Sequence, residues 1–286
     1  MLSARFAQRA VSKYRTSFRF HNQLMDWTFK DLDYFSDSFL AGLQENRVAA
    51  DSTILTWLDD KHAAESITAM VGALKNGSQV VSLSKVLSKE KPSVDAIRQA
   101  VTSANPSLFL VSPNQIVDGV TKSELINRAF PEAQAFGKTG YLDLPKIPNL
   151  RFMVQTGLYN RPGFVRFRDF CVYVPPTMKK LDRVDISQAL DRFQSKGQGW
   201  PTIELNEHVF FLSGLDNHDL VMRALYETAS TGNLLDFVSR EVITKSDFAF
   251  INDLDPEQGS YVVGDKADLD VARAKIRHQK VKYVEV

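Results

Sequence analysis

The feature that most constrains this chain is the alternation of apolar runs between residues 53 and 111. Thr53-Ile54-Leu55-Thr56-Trp57-Leu58, Ser78–Leu83 and Leu108–Val111 are short, apolar and bounded by turn residues, which predicts three buried strands. Between them, Ala64, Ile67, Met70, Val71 and Leu74 share one helical face, and Val94, Ile97 and Val101 share another in a helix started by Pro92. Asn76-Gly77 and Asn105-Pro106 supply the stops. Strand, helix, strand, helix, strand at this spacing predicts an α/β fold, a mostly parallel sheet flanked by helices.

The flanking sequence extends the pattern. Phe18–His21 and Leu24–Trp27 read as a hairpin, and Thr28 with Asp31 reads as the N-cap of a helix burying Leu32, Phe35, Phe39, Leu40 and Leu43. Thr121-x-x-Glu124 caps a helix with Leu125, Ile126 and Phe130. Further strands are expected at Leu150–Gln155, Cys171–Val174, Val209–Leu212 and 281–286, and helices at 184–194, 218–229 and 267–277. The domain reading is a basic extension at 1–16, an α/β domain at 17–265 and a basic C-terminal segment at 266–286, with any further cut near 176–200. At about 150 residues per domain, 286 residues fit one large domain or two small ones.

Charge and cysteine content exclude several classes. With 35 Lys and Arg against 34 Asp and Glu, the formal net charge is +1, which disfavours extensive nucleic-acid contact. One cysteine, Cys171, excludes an internal disulfide framework and a zinc site built on several thiolates. Residues 1–25 stand apart: Arg5, Arg9, Lys13, Arg15 and Arg19 precede the first acid, Asp26, and Leu2, Phe6, Ala10 and Val11 recur at helical spacing. Such a start predicts a mitochondrial import sequence, with an interfacial helix, a docking arm or a plain charged terminus as the other readings.

Trp27-Thr28-Phe29-Lys30-Asp31-Leu32, Thr53–Leu58 with Asp59–Glu65 behind it, Ala69–Leu83, Pro148–Arg151 and Pro162–Phe170 follow one another at a recognisable spacing. Taken in order, these stretches resemble the acyl-CoA synthetase and luciferase-like family of AMP-dependent, adenylate-forming enzymes. The resemblance covers residues 17–175 and implies the N-terminal core of that fold, with ATP and a carboxylate as the family's substrates. It also implies a Ser/Thr- and Gly-rich loop with a lysine after the strand at 209–212. Here that loop is Leu212-Ser213-Gly214-Leu215-Asp216-Asn217-His218-Asp219, in which Ser213 and Gly214 are the remnant and two aspartates stand where phosphate would go. The family's adenine-binding stretch is unmatched, and the tail from Lys275 to Lys282 offers no counterpart of its mobile C-terminal domain. The resemblance thus implies a degenerate, inactive core with no catalytic residues, cofactor or metal.

Other residues carry alternative readings. Gly137-Lys138-Thr139 looks like the end of a phosphate loop, but Glu132 replaces the required glycine. His208 and His218 read as separate histidines before a metal pair, and Cys171 as a buried small hydrophobe before a nucleophile. Asp59 and Asp60 are expected to cap the next helix; acid–base work with His62 is the alternative. Arg151, Arg161, Arg166 and Arg168 interleave with Phe152, Tyr159, Phe164, Phe167 and Phe170. That alternation fits solvated arginines over core aromatics, a protein interface or a nucleic-acid surface.

These readings converge on a non-catalytic interaction scaffold: an accessory subunit of a large mitochondrial assembly at the matrix or the matrix face of the inner membrane, an ATP synthase or respiratory complex before others. Its expected interface is Arg5, Arg9, Arg15, Arg19, Arg161, Arg166, Arg168, Phe164 and Phe167. The partners are other protein subunits, with lipid headgroups against the basic termini. The alternatives are a nucleotide- or acyl-binding module without adenylation activity, and a small-molecule enzyme of unrelated chemistry.

Overall fold

Local capping chemistry sets the first elements of the computed structural model, which describes residues 18–87, 92–136, 141–173, 207–212, 215, 217–231, 233–245, 248–254 and 259–285. Strands β1 (Phe18–Phe20) and β2 (Met25–Trp27) form the expected hairpin, with Phe18 opposite Trp27. Helix α1 (Phe29–Glu45) opens on a reciprocal cap. The Thr28 N–H donates to Asp31 Oδ2 (2.8 Å) and the Asp31 N–H to Thr28 Oγ1 (3.2 Å). Leu32, Phe39, Leu40 and Leu43 are buried as expected, whereas Phe35 is 38% exposed.

The alternating core follows as β3 (Thr53–Trp57), α2 (Ala63–Asn76), β4 (Gln79–Ser82), α3 (Leu83–Leu87), α4 (Val94–Ala104) and β5 (Leu108–Val111). Gly77 ends α2 at φ 84°, a left-handed conformation that costs glycine little. Ser93, not Pro92, caps α4, its Oγ accepting from the Ala96 N–H at 3.1 Å. A small hairpin, β6 (Ile116–Val117) and β7 (Val120–Thr121), leads into α5 (Lys122–Ala129), then β8 (Phe152–Gln155), β9 (Val165–Arg166) and α6 (Phe167–Phe170). The strand expected at Cys171–Val174 is not formed over Cys171–Tyr173. There the Cys171 N–H closes α6 on the Phe167 carbonyl and the Val172 N–H donates to the Ser38 carbonyl. The chain then gives β10 (His208–Phe211), α7 (His218–Thr231), β11 (Leu234–Phe237), α8 (Arg240–Lys245), α9 (Ala249–Asn252), β12 (Ser260–Gly264), α10 (Lys266–Lys275) and β13 (Val281–Glu285). The helix expected at 184–194, the cut near 176–200 and Gly137–Thr139 lie outside the described residues, as do residues 1–16.

Two compact units emerge: residues 1–33 with 190–286, and residues 34–189. The first holds a six-stranded sheet in the order β13-β12-β10-β11-β1-β2, parallel except for β2. The tail, far from trailing, supplies its α10 and β13; Lys282 Nζ donates to Tyr261 Oη at 2.9 Å and Arg273 lies over the Tyr283 ring. The second unit holds a five-stranded, wholly parallel sheet, β4-β3-β5-β8-β9.

Both faces of that second sheet are covered, as a parallel sheet requires. Leu55, Trp57, Phe109, Val111 and Met153 face Ile97, Val101 and Ile126. Ile54, Leu108, Leu110, Phe152 and Val154 face Phe39, Leu43, Ala69 and Ala73. Lys75 is buried in this layer, its Nζ donating to Ser36 Oγ (2.7 Å) and Asp37 Oδ1 (2.8 Å). Gly42 is required by close approach: a Cβ there would lie 2.1 Å from the Phe170 carbonyl oxygen.

Candidate functional site

In chain order the five-stranded sheet runs second, first, third, fourth, fifth, so the direction of winding reverses between β3 and β5. Loops leaving the carboxyl ends of two strands at such a reversal diverge to opposite faces and leave a crevice, the usual ligand position in open α/β sheets. A group of polar residues stands there. Asp59 follows β3, His62 sits one turn on, and Ser112 follows β5. His62 Nδ1 meets Asp59 Oδ1 at 2.5 Å and Ser112 Oγ at 3.2 Å, while the Asp59 N–H donates to Ser112 Oγ at 3.0 Å.

This geometry corrects the capping role expected of Asp59. The short 3-10 turn Asp60–His62 and α2 both begin without a side-chain cap from Asp59 or His62. A histidine three residues away offers Asp59 a charged partner, and charge-assisted hydrogen bonds are stronger than neutral ones. Burial opposes the charge on both groups, yet each prevails through its partner. Burial pushes the His62 pKa down, but the Asp59 hydrogen bond and charge, helped by Glu65, leave it above its ordinary value. Burial pushes the Asp59 carboxyl up, but His62, Lys122 and Ser112 hold it below the ordinary range. The product is a half-buried histidine–carboxylate pair beyond the carboxyl ends of β3 and β5, its imidazole holding a proton more tightly than a free one does.

Lys122, the first residue of α5, completes the cluster, and no reading of the sequence singled it out. It is buried, with Nζ donating to the carbonyls of Trp57 (2.9 Å) and Leu58 (3.3 Å) and lying over the Trp57 ring. The Thr121 cap, whose Oγ1 accepts from the Glu124 N–H, was the one local signal, because it sets Lys122 at the start of the helix. Gln115 Oε1, just before β6, and Gln155 Oε1 and Thr156 Oγ1, at the carboxyl end of β8, are buried and have no hydrogen-bond partner among the described residues. Such acceptors call for donors from water or a ligand. Ile116, next to Gln115, and Leu158 and Tyr159, just beyond Thr156, stand exposed.

The arrangement differs from a proton relay to a nucleophile. Ser112 and Asp59 meet the same ring nitrogen, Nδ1, whereas a relay needs hydroxyl and carboxylate on opposite nitrogens. His62 Nε2 has no partner among the described residues and is the group left to meet a ligand.

The arginine–aromatic alternation sorts by ring type: Phe152, Phe164 and Phe170 are buried, whereas Tyr159 is exposed. Phe164 is 3% exposed and packs in the core, and Phe167 stacks on Phe39 at 5.5 Å. Arg161 donates to Asn114 Oδ1 (2.6 Å), Arg166 pairs with Asp169, and Arg168 approaches the same carboxylate at 3.7 Å. Arg19, in β1, pairs with Asp26 at 3.1 Å. Cys171 packs against the core, and burial, with Glu65 nearby, pushes its thiol to about 12. Arg5, Arg9, Arg15, Ser213 and Gly214 lie outside the described residues.

No family model and no curated protein matches this chain. Solved structures do. A variant of coronafacic acid ligase from Pectobacterium brasiliense aligns with a TM-score of 0.64 at 10% identity, over 99% of this chain and 55% of its own. An anthranilate CoA ligase in complex with anthranoyl-AMP gives 0.62 at 12% identity, over 95% and 50%. A benzoate CoA ligase from Burkholderia xenovorans gives 0.60 at 12%, over 98% and 59%. The chain therefore has the α/β fold of the N-terminal core of adenylate-forming enzymes and spans about half the length of the ligases it matches. This overturns the expected subunit of a mitochondrial ATP synthase or respiratory complex. The fold that these matches cover is that of acid and CoA ligases, and it points to no such assembly.

Proposed function

We propose that this chain is a ligand-binding α/β module related to the adenylate-forming enzymes, holding a nucleotide or acyl ligand without adenylating it. The observation that carries this reading is the Asp59–His62–Ser112 cluster at the reversal of the five-stranded sheet. An imidazole with a raised pKa and an open Nε2 suits a phosphate or carboxylate, and the unpaired acceptors of Gln115, Gln155 and Thr156 suit ligand N–H or O–H groups. The exposed Ile116, Leu158 and Tyr159 suit an apolar portion. The absence of adenylation is read from two features. Both partners of His62 share one nitrogen, and the stretch from Leu212 to Asp219 carries two aspartates and no lysine where the resembling family holds triphosphate.

Calorimetric titration of the whole chain with ATP, AMP and an acyl-CoA tests the reading. Saturable binding of one of them, weakened at least tenfold by His62→Ala, is expected, together with no pyrophosphate release from ATP and a carboxylic acid. Binding untouched by His62→Ala would move the site elsewhere, and pyrophosphate release would make the chain an enzyme.

A further inference from the structure

A cavity of about 420 Å³ opens at the other end of the same five-stranded sheet, lined by Glu45, Asn46, Arg47, Tyr141, Arg151 and Phe152. That volume is in the range of small-molecule sites. It lies beside the first residue of β8, whereas the His62 cluster lies beyond the carboxyl ends of the strands.

Arg47 is the telling residue. It terminates α1 in a Schellman turn: its N–H donates to the Gln44 carbonyl at 3.0 Å and the Val48 N–H to the Leu43 carbonyl at 2.9 Å. The same turn ends α2, where the Gly77 N–H donates to the Leu74 carbonyl and the Ser78 N–H to the Ala73 carbonyl. Both residues at this position are left-handed, at φ 84° for Gly77 and 55° for Arg47. A third helix, α4, stops on left-handed Asn105. Glycine and asparagine tolerate that conformation; an arginine is strained in it, and strain of this kind collects at binding sites. Arg47 is exposed and its guanidinium has no partner among the described residues. Across the cavity, Arg151 Nη1 donates to Tyr141 Oη at 2.7 Å and the guanidinium lies 5.3 Å from the centre of that ring, which fixes its direction. Two guanidiniums thus line one small cavity, one oriented by a tyrosine and one placed at a conformational cost.

We propose that this cavity binds the phosphate group of a small phosphate ester through Arg47 and Arg151. Guanidiniums match phosphate oxygens in pairs, which a lone lysine cannot. Glu45, on the same rim, accepts a hydrogen bond from a hydroxyl of the ester and repels larger polyanions. The site is separate from the His62 crevice, so its failure leaves the preceding proposal unaffected.

The test is thermal unfolding of the full chain in increasing glycerol phosphate, at ionic strength held constant with chloride. A saturable rise in Tm is expected for the natural sequence. Arg47→Gly relaxes the backbone, so without ligand it is expected to melt higher than the natural sequence, while its apparent affinity for glycerol phosphate falls at least tenfold. Arg151→Met is expected to lose a similar factor with an unchanged fold by circular dichroism. No saturable shift in the natural sequence, or an undiminished shift in Arg47→Gly, overturns the proposal.

Discussion

Two partly buried histidines, one in each unit, have been treated in opposite ways. His62 in the five-stranded unit sits beyond the strand ends with Asp59 on its Nδ1, and that partner raises its pKa against the pull of burial. His208 in the six-stranded unit sits at the start of β10, inside the sheet. Burial lowers its pKa, with Asp236 pulling the other way and Arg19 adding to the fall. Its Nδ1 has no hydrogen-bond partner among the described residues, and neither have Asp236 Oδ2 nor Ser260 Oγ. Asp236 Oδ1 instead receives His21 Nε2 at 3.0 Å. The difference is one of partner: burial lowers both pKa values, but His62 has a carboxylate hydrogen-bonded to its ring, whereas His208 has only the charge of Asp236 to oppose the loss of water. A hydrogen-bonded carboxylate, and not burial alone, therefore decides which way each histidine's pKa moves.

The comparison can be broken most forcefully at Lys75. Removing this buried ammonium takes a charged partner from Asp37 and Ser36, so Lys75→Ala should cost about 4 kcal/mol in urea unfolding. A cost under 1 kcal/mol would mean that the five-stranded unit does not depend on its internal charges. Gly42→Ala should come next, at about 3 kcal/mol, because the new methyl group meets backbone and not a movable side chain.

The histidines themselves predict opposite pH slopes. His62, with its pKa raised above 6.5, stabilises the fold fully below that value, and the contribution is lost as pH climbs through the folded pKa. Asp59, lowered from 3.8, contributes above 3.8 and loses its effect as pH falls through its folded value. The pair is thus worth most between these two pH values. His208, lowered from 6.5, destabilises the fold as pH drops below 6.5, since the unfolded chain takes up the proton first. Denaturant midpoints from pH 5 to 8 should show the alkaline decline flattened in His62→Asn and the acid decline flattened in His208→Asn. Slopes of the same sign in both variants would remove the contrast. The smallest effect is expected at Asp236→Asn, within about 1 kcal/mol, because Oδ2 has no hydrogen bond to lose. Cys171, held as a thiol by its pKa of about 12, should resist iodoacetamide at pH 8 until the chain is unfolded.

Much of the frame was legible before any coordinates. The alternation from Thr53 to Val111 gave the parallel sheet, and Thr28 with Asp31 and Gly77 marked helix ends where they occur. Strands β11 and β12 escaped notice: Leu234–Phe237 is broken by Asp236, and Ser260–Gly264 is short and ends in glycine. The site was less visible. Asp59 next to a helix start looks like a cap from its neighbours alone, and Lys122 looks like a surface residue until the carbonyls of Trp57 and Leu58 are brought to it.

What the sequence determined by itself is what neighbours a few residues apart can settle: where helices start and stop, and which short runs extend. Such signals act through hydrogen bonds within one turn and hold wherever the segment ends up. Tertiary structure alone decided the pairing of Phe18 with Leu235, the turning of Phe164 inward, and the meeting of His62 with Ser112 across 50 residues. Those outcomes depend on which surfaces are removed from water together, and burial is a property of the assembled sheet, not of any one stretch of chain.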